Sequence, residues 1–183
     1  MQQAEGGIIT GPEGYGRRLL RATGRAAIAL GFIAGPATAA RHSIAVFGDW
    51  GAFREDAAPV RCFAVAEPPP GTRAASRGAY AAVASWPARR VRAQVSFRLS
   101  LLAGPDSPVT LTIGDRSFAL IAKGRDAWAR DRREDALIVA TMRSASSMSV
   151  SAVSVGGVPF ADGYRLRGAA SAIDAAMLAC PLK

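Results

Sequence analysis

Val109-Thr110-Leu111-Thr112-Ile113-Gly114-Asp115-Arg116-Ser117-Phe118-Ala119-Leu120-Ile121-Ala122 is the stretch on which the fold turns. Val109, Leu111 and Ile113 alternate with two threonines, the period of a strand that is wet on one face. Gly114-Asp115 then reverses the chain, because glycine enters the positive-φ region that a tight hairpin demands. Ser117–Ala122 supplies the returning strand.

The same pattern recurs on either side. Val91–Leu99 alternates apolar and polar residues, and Gly104-Pro105-Asp106 turns the chain towards the hairpin. Val60–Ala66 and Tyr80–Trp86 are apolar runs that read as buried strands. They stop at Glu67-Pro68-Pro69-Pro70-Gly71 and at Pro87, since proline cannot donate to a ladder. Ile44–Phe47 is a shorter strand candidate ending at Gly48-Asp49, and the chain from Gly71 to Gly78 reads as a basic, flexible loop. Downstream, Met148–Val155 and Pro159–Leu166 flank Gly156-Gly157, a second hairpin signal. Glu134–Ser144 carries Leu137, Ile138 and Met142 at helical spacing. The Ala-rich tail Ala169–Cys180 places Ile173, Ala176, Met177 and Cys180 on one helical face before Pro181. These elements predict a mainly β domain, an antiparallel β-sandwich or barrel-like fold of about eight strands, with a short mid-chain helix and a C-terminal helix.

A chain of 183 residues suits one such domain, and its 50% hydrophobic content supplies a core. The net charge of +9 is carried almost entirely by arginines spread along the sequence. No basic block is interleaved with aromatics, so nucleic acid is not an expected partner. Asp126–Ala136 gathers four carboxylates, but arginines alternate with them, and the stretch reads as a solvated loop leading into the helix.

Gly16–Ala40 has the order of a secretory leader. Arg17, Arg18, Arg21 and Arg25 form a basic start, Ala26–Ala34 is a short apolar run, and Gly35-Pro36 precedes the small residues Ala37-Thr38-Ala39-Ala40. The run is too short to span a bilayer, which takes about 20 apolar residues. Residues 1–40 are therefore expected to be an N-terminal extension and cleavable signal peptide, cut near Ala39 or Ala40, with residues 41–183 as the single mature domain. Whether the general secretory or the twin-arginine route is used stays open. Cleavage would leave nineteen basic against twelve acidic residues, a charge of +7. The expected location is the periplasm or the outer surface.

Cys62 and Cys180 are the only cysteines, and in an exported chain such a pair is read as one disulfide. Two free thiols are the alternative. Closing so long a loop is worth about 4–5 kcal/mol in the chain-entropy model. His42 is the only histidine, which argues against a zinc site and against histidine-based catalysis. No phosphate-binding glycine loop, His-Glu-x-x-His or Gly-x-Ser-x-Gly occurs. No catalytic residues, cofactor or metal are therefore assigned.

With these residues in place, the chain resembles the invasion-associated locus B family of alphaproteobacterial exported proteins. The resemblance rests on Phe47-Gly48-Asp49-Trp50 with Phe53, on Cys62-Phe63-Ala64-Val65 ending at Pro68, and on Val109–Ile113 with Gly114 and Phe118. It continues through Trp128, Ala140-Thr141-Met142-Arg143, Asp162-Gly163-Tyr164-Arg165-Leu166-Arg167-Gly168 and the helix closing at Cys180. It implies a β-sandwich-like envelope protein, linked in pathogens to host-cell invasion or attachment. Trp50, Phe53 and Trp128 are candidates for an aromatic contact surface. Packing in the core or at a sheet edge is the other role open to them, and burial habit favours it.

The expected function is thus an exported, non-enzymatic binding or envelope-associated protein. Its partners would be an envelope component or a host protein, or an anionic lipid or lipopolysaccharide surface. The alternative is a periplasmic hydrolase or an enzyme inhibitor, the latter using Pro68–Gly78 as a projecting loop. Intact-mass measurement of exported material should show loss of residues up to about Ala40, together with the deficit of about two daltons left by one disulfide. A full-length, reduced mass would contradict both expectations.

Overall fold

The computed structural model describes residues 40–181, so the leader expected over Gly16–Ala40 lies outside the described residues except for Ala40 itself. In chain order the elements are β1 (Arg41–Phe47), β2 (Trp50–Glu55), β3 (Arg61–Ala66), α1 (Arg73–Ser76), β4 (Tyr80–Trp86) and β5 (Val91–Arg98). They continue with β6 (Val109–Ile113), β7 (Arg116–Lys123), β8 (Asp126–Trp128), α2 (Arg132–Met142), β9 (Ser147–Val153), β10 (Pro159–Arg165) and α3 (Ala169–Ala179). All strand pairs are antiparallel and form one sheet in the order β1-β2-β3-β4-β5-β8-β7-β6-β9-β10.

The β6–β7 hairpin forms in the expected register, with Val109 opposite Leu120, Ile113 opposite Arg116, and Gly114 at φ +60° in the turn. Ten strands are described rather than eight. The two extra ones are β2, where Gly51 and Ala52 dilute the apolar alternation, and β8, three residues set among charges. The segment expected as a flexible loop before Gly78 contains α1 instead. Thr72 caps it by accepting the Ala75 N–H at 3.2 Å, and Ala74 is buried.

Alternation sorts the sheet into two faces. The inner face carries Trp50, Ala52, Cys62, Ala64, Val83, Val95 and Phe97 on one half, and Leu111, Ile113, Met148, Val150 and Tyr164 on the other. Both halves share a single apolar core with Ile138 and Met142 of α2 and Ile173 and Ala176 of α3. α3 lies across β1–β5, where Ala52 and Ala64 of the sheet and Ala169, Ala172 and Ala176 of the helix keep side chains small at the contact.

The sheet curls until its ends meet. Asp49 N–H donates to the Arg167 carbonyl at 3.0 Å, and Trp50 Nε1–H donates to the Arg165 carbonyl at 2.9 Å. Gly48 (φ +57°) and Gly168 (φ +91°) face each other across this junction. A Cβ on Gly48 would lie 2.6 Å from the Arg167 carbonyl oxygen, and one on Gly168 would collide with the Phe47 carbonyl. The Cys62–Cys180 disulfide then ties β3 to the end of α3. Arg54 Nη1 donates to the Ala179 carbonyl at 2.9 Å, placing a cation on the negative end of the helix.

The acidic stretch is only partly the solvated loop expected of it. Asp131 is the exposed N-cap of α2, its Oδ1 accepting the Glu134 N–H at 2.9 Å, but Glu134 and Asp135 are buried. Asp135 Oδ1 accepts the Val95 N–H at 2.8 Å and so fastens α2 to β5. Burial pushes the Asp135 carboxyl above its ordinary value, with the Val95 hydrogen bond opposing.

Gly168→Ala should destabilise the protein by at least about 3 kcal/mol, because a left-handed φ and a backbone collision add. Gly71→Ala, at φ +82° but facing open space, should cost only about 1–2 kcal/mol. Denaturant midpoints compare the two, and equal losses would show that the junction is not tightly packed.

Candidate functional site

Of the three aromatics considered for a contact surface, Trp50 cannot belong to one. It is wholly buried, because its place on β2 turns it to the inner face and its indole N–H is used at the sheet junction. Phe53 and Trp128 do lie on the outer face, but on separate strands. Phe53 stacks on Phe63 with ring centroids 5.6 Å apart, and Trp128 pairs with Ser96 of β5 and Ile121 of β7. Phe63, Tyr80 and Trp86 complete the outer-face aromatics on β3 and β4, around a cleft of about 360 Å³ that Phe53 also lines. Its alternating neighbours Ala82, Ala84 and Ser96 are small, which leaves the floor low.

One end of that cleft is closed by charge. Glu55 accepts from Arg41 at 2.7 Å and from Arg61 at 2.6 Å, and both guanidinium groups sit over the Phe63 ring, 5.4 and 4.9 Å from its centroid. The Arg61 hydrogen bond is the main reason that the Glu55 carboxyl is held below its ordinary value; burial opposes it, and Arg41 adds to it. These arginines are occupied with Glu55 and with the ring.

The arginines that remain unpaired are more informative. Seven form ion pairs among the described residues: Arg41, Arg54, Arg61, Arg98, Arg130, Arg143 and Arg167. Arg89, Arg90 and Arg92 form none, are exposed, and crowd the β4–β5 connection. Pro87 opens a 3₁₀ turn there, Arg90 adopts a left-handed conformation at φ +51°, and Ala93 follows at φ +53°. Two non-glycine residues held at positive φ mark a backbone that its surroundings over-determine. The buried Ser85 helps, its hydroxyl accepting the Ala93 N–H at 3.0 Å.

Two clefts flank this hairpin. One, of about 660 Å³, sets Arg90 and Arg54 beside Pro59, Val60, Pro87 and Pro181. The other, of about 280 Å³, sets Arg92, Arg132 and Arg143 around Val139, Ala140 and Met177. Among the described residues, no carboxylate lines either one. The hairpin end therefore combines guanidinium groups with apolar floors. Among the described residues, two carboxylates do not converge in any of five clefts, and no three His, Cys, Asp or Glu side chains group as metal ligands. His42 lies in β1 opposite Arg54 of β2, with its Nε2 3.1 Å from Asp56 Oδ2. The Pro68–Gly78 segment is anchored at two points while Pro70–Arg73 and Ser76–Gly78 stay exposed. Pro68 and Ala74 are buried and α1 contacts β10.

The hairpin arginines were individually visible in the sequence, but nothing in their spacing distinguished them from the arginines that are neutralised. No protein-family model matches the chain, and no curated protein or solved structure proved significantly similar to it.

The Glu55 network has a definite pH signature. A carboxyl whose folded value is depressed stabilises the fold above its unfolded value, and this contribution is lost as pH falls through the folded value. Glu55→Gln should lower stability at neutral pH by about 1 kcal/mol, given its partly exposed partners. The gap from the wild type should close under acid, as read from urea midpoints across the pH range; a constant gap would assign the loss to packing.

Proposed function

We propose that the chain is an exported, non-enzymatic, envelope-associated protein, similar to invasion-associated locus B proteins, that docks on anionic lipid through its β4–β5 hairpin. The observation that carries the reading is the set of Arg89, Arg90 and Arg92, exposed and, among the described residues, unpaired, between two apolar clefts that no described carboxylate lines. Phosphate headgroups attract juxtaposed guanidinium groups, and an apolar floor beside them accommodates acyl or glycerol carbons.

Periplasmic or outer-surface placement rests on the basic, apolar and small-residue order of Gly16–Ala40. A disulfide suits the same oxidising compartment. The non-enzymatic reading is supported by the absence of catalytic motifs from the sequence and by clefts in which carboxylates do not converge.

Co-sedimentation of the full chain with vesicles tests the reading. Vesicles containing phosphatidylglycerol or lipopolysaccharide should retain the protein at low salt and release it at high salt, whereas phosphatidylcholine vesicles should not retain it. Each arginine near such a surface contributes about 1 kcal/mol, so the R89A/R90A/R92A variant should bind on the order of 100-fold more weakly. Retention indifferent to salt, or unchanged in the triple variant, would rule out the hairpin as the docking surface.

A further inference from the structure

A second surface is built from different elements and different chemistry. The outer face of β6, β9 and β10 presents hydroxyls and small residues rather than aromatics. Thr112 stands opposite Ser149, and Ser149 opposite Gly163, so the three form one row across the strands. Ser147 stands opposite Arg165 at the next outer position. α1 rises beside this floor with Arg73, and the cleft between them measures about 580 Å³.

The wall arginines are what make the cleft specific. Arg73 and Arg165 are exposed, and neither forms an ion pair among the described residues, nor does a carboxylate line the cleft. Gly163 leaves the floor open, since a Cβ there would meet nothing within 4 Å. The row from Thr112 through Ser149 to the open position at Gly163 spans two strand spacings, roughly 10 Å, which is the reach of two pyranose rings. A hydroxyl both donates and accepts, as sugar hydroxyls do, and a guanidinium grips a carboxylate with paired hydrogen bonds.

We propose that this cleft binds an acidic saccharide, its carboxylate between Arg73 and Arg165 and its ring hydroxyls on Thr112, Ser147 and Ser149. The volume lies within the range of small-molecule sites. The cleft shares no residue with the two clefts that flank the β4–β5 hairpin. Saccharide binding therefore does not depend on the lipid-docking reading.

Calorimetric titration of the full chain with digalacturonate, a neutral disaccharide and inorganic phosphate tests this, with amide shifts of Ser149 and Gly163 locating the site. Digalacturonate should bind and shift both amides, the neutral disaccharide should bind at least about tenfold more weakly, and inorganic phosphate should not compete at equal concentration. Because a hydrogen bond to a charged group is worth about 1.5–3 kcal/mol, Arg73→Ala or Arg165→Ala should each weaken binding about tenfold or more. Both side chains are exposed, so folding is not at stake. Ser149→Val should weaken binding about threefold or more, and R89A/R90A/R92A should leave it unchanged. Phosphate binding as tightly as digalacturonate would reduce the cleft to a general anion sink and overturn the proposal. So would the absence of shifts at Ser149 and Gly163, or an equal loss in the hairpin variant.

Discussion

The close approach of two backbone segments, Phe47–Trp50 and Arg165–Gly168, is the constraint from which the rest of the architecture follows. Carbonyls of the second segment accept the Asp49 N–H and the Trp50 indole N–H, and no side chain fits at Gly48 or Gly168. Closing the sheet there turns its two halves towards each other and makes a single core of them. It also sets the origin of α3, which leaves Gly168 directly across the inner face of β1–β5. The far end of that helix is then held twice, by the Cys62–Cys180 bridge and by Arg54 on the Ala179 carbonyl. Early and late parts of the chain are thus joined at both ends of one helix, and non-local contacts of this kind slow folding.

Buried polar groups hold the connections that the sheet alone would leave loose. Asp135 accepts from Val95, and Asp162, nearly inaccessible, accepts the Ser100 N–H at 2.7 Å just beyond β5. Each carboxylate thus satisfies a main-chain donor on or beside the same strand, a donor that would be costly to bury unpaired. Tyr164, tilted against Phe97 at 6.2 Å, is buried beside Asp162 on the same face of β10. Burial first, and the Asp162 charge second, raise its phenol far above the ordinary value, so it remains a neutral core aromatic.

Most of the fold was legible because the alternation of apolar residues has a physical cause that tertiary context did not override. β6 and β7, flanking a glycine turn, and β9 and β10 lie where their patterns predicted, and α3 ends within a residue of Cys180. β2 was hidden because its inward residues are Trp50 and Ala52, too unlike in size to show a period. β8 was hidden because three residues carry no period, and only pairing with β5 and β7 makes them a strand. Glu134 and Asp135 read as solvated because a sequence shows their charge and not the Arg130 side chain and Val95 N–H that satisfy them. The candidate surfaces were harder still. Trp50 has the residue type of a contact aromatic and the position of a core one, and only strand parity separates the two.

Parity also decides which charges remain available for a partner. An arginine on the outer face of a paired strand tends to meet a carboxylate on the neighbouring strand, as Arg41 and Arg61 meet Glu55 and as Arg98 meets Asp126 at 2.8 Å. Arginines on a turn or at a sheet edge have fewer cross-strand neighbours. Arg89 and Arg90 in the 3₁₀ turn, Arg73 on a single helical turn and Arg165 at the end of the edge strand β10 are of that kind. The basic surplus of the chain is therefore unevenly expressed. Ion pairs occupy Arg41, Arg61 and Arg98 within the sheet, whereas Arg73, Arg89, Arg90 and Arg165 stay exposed and unpaired among the described residues where the backbone turns or the sheet ends. Such places are also where a partner approaches without displacing any hydrogen bond of the ladder.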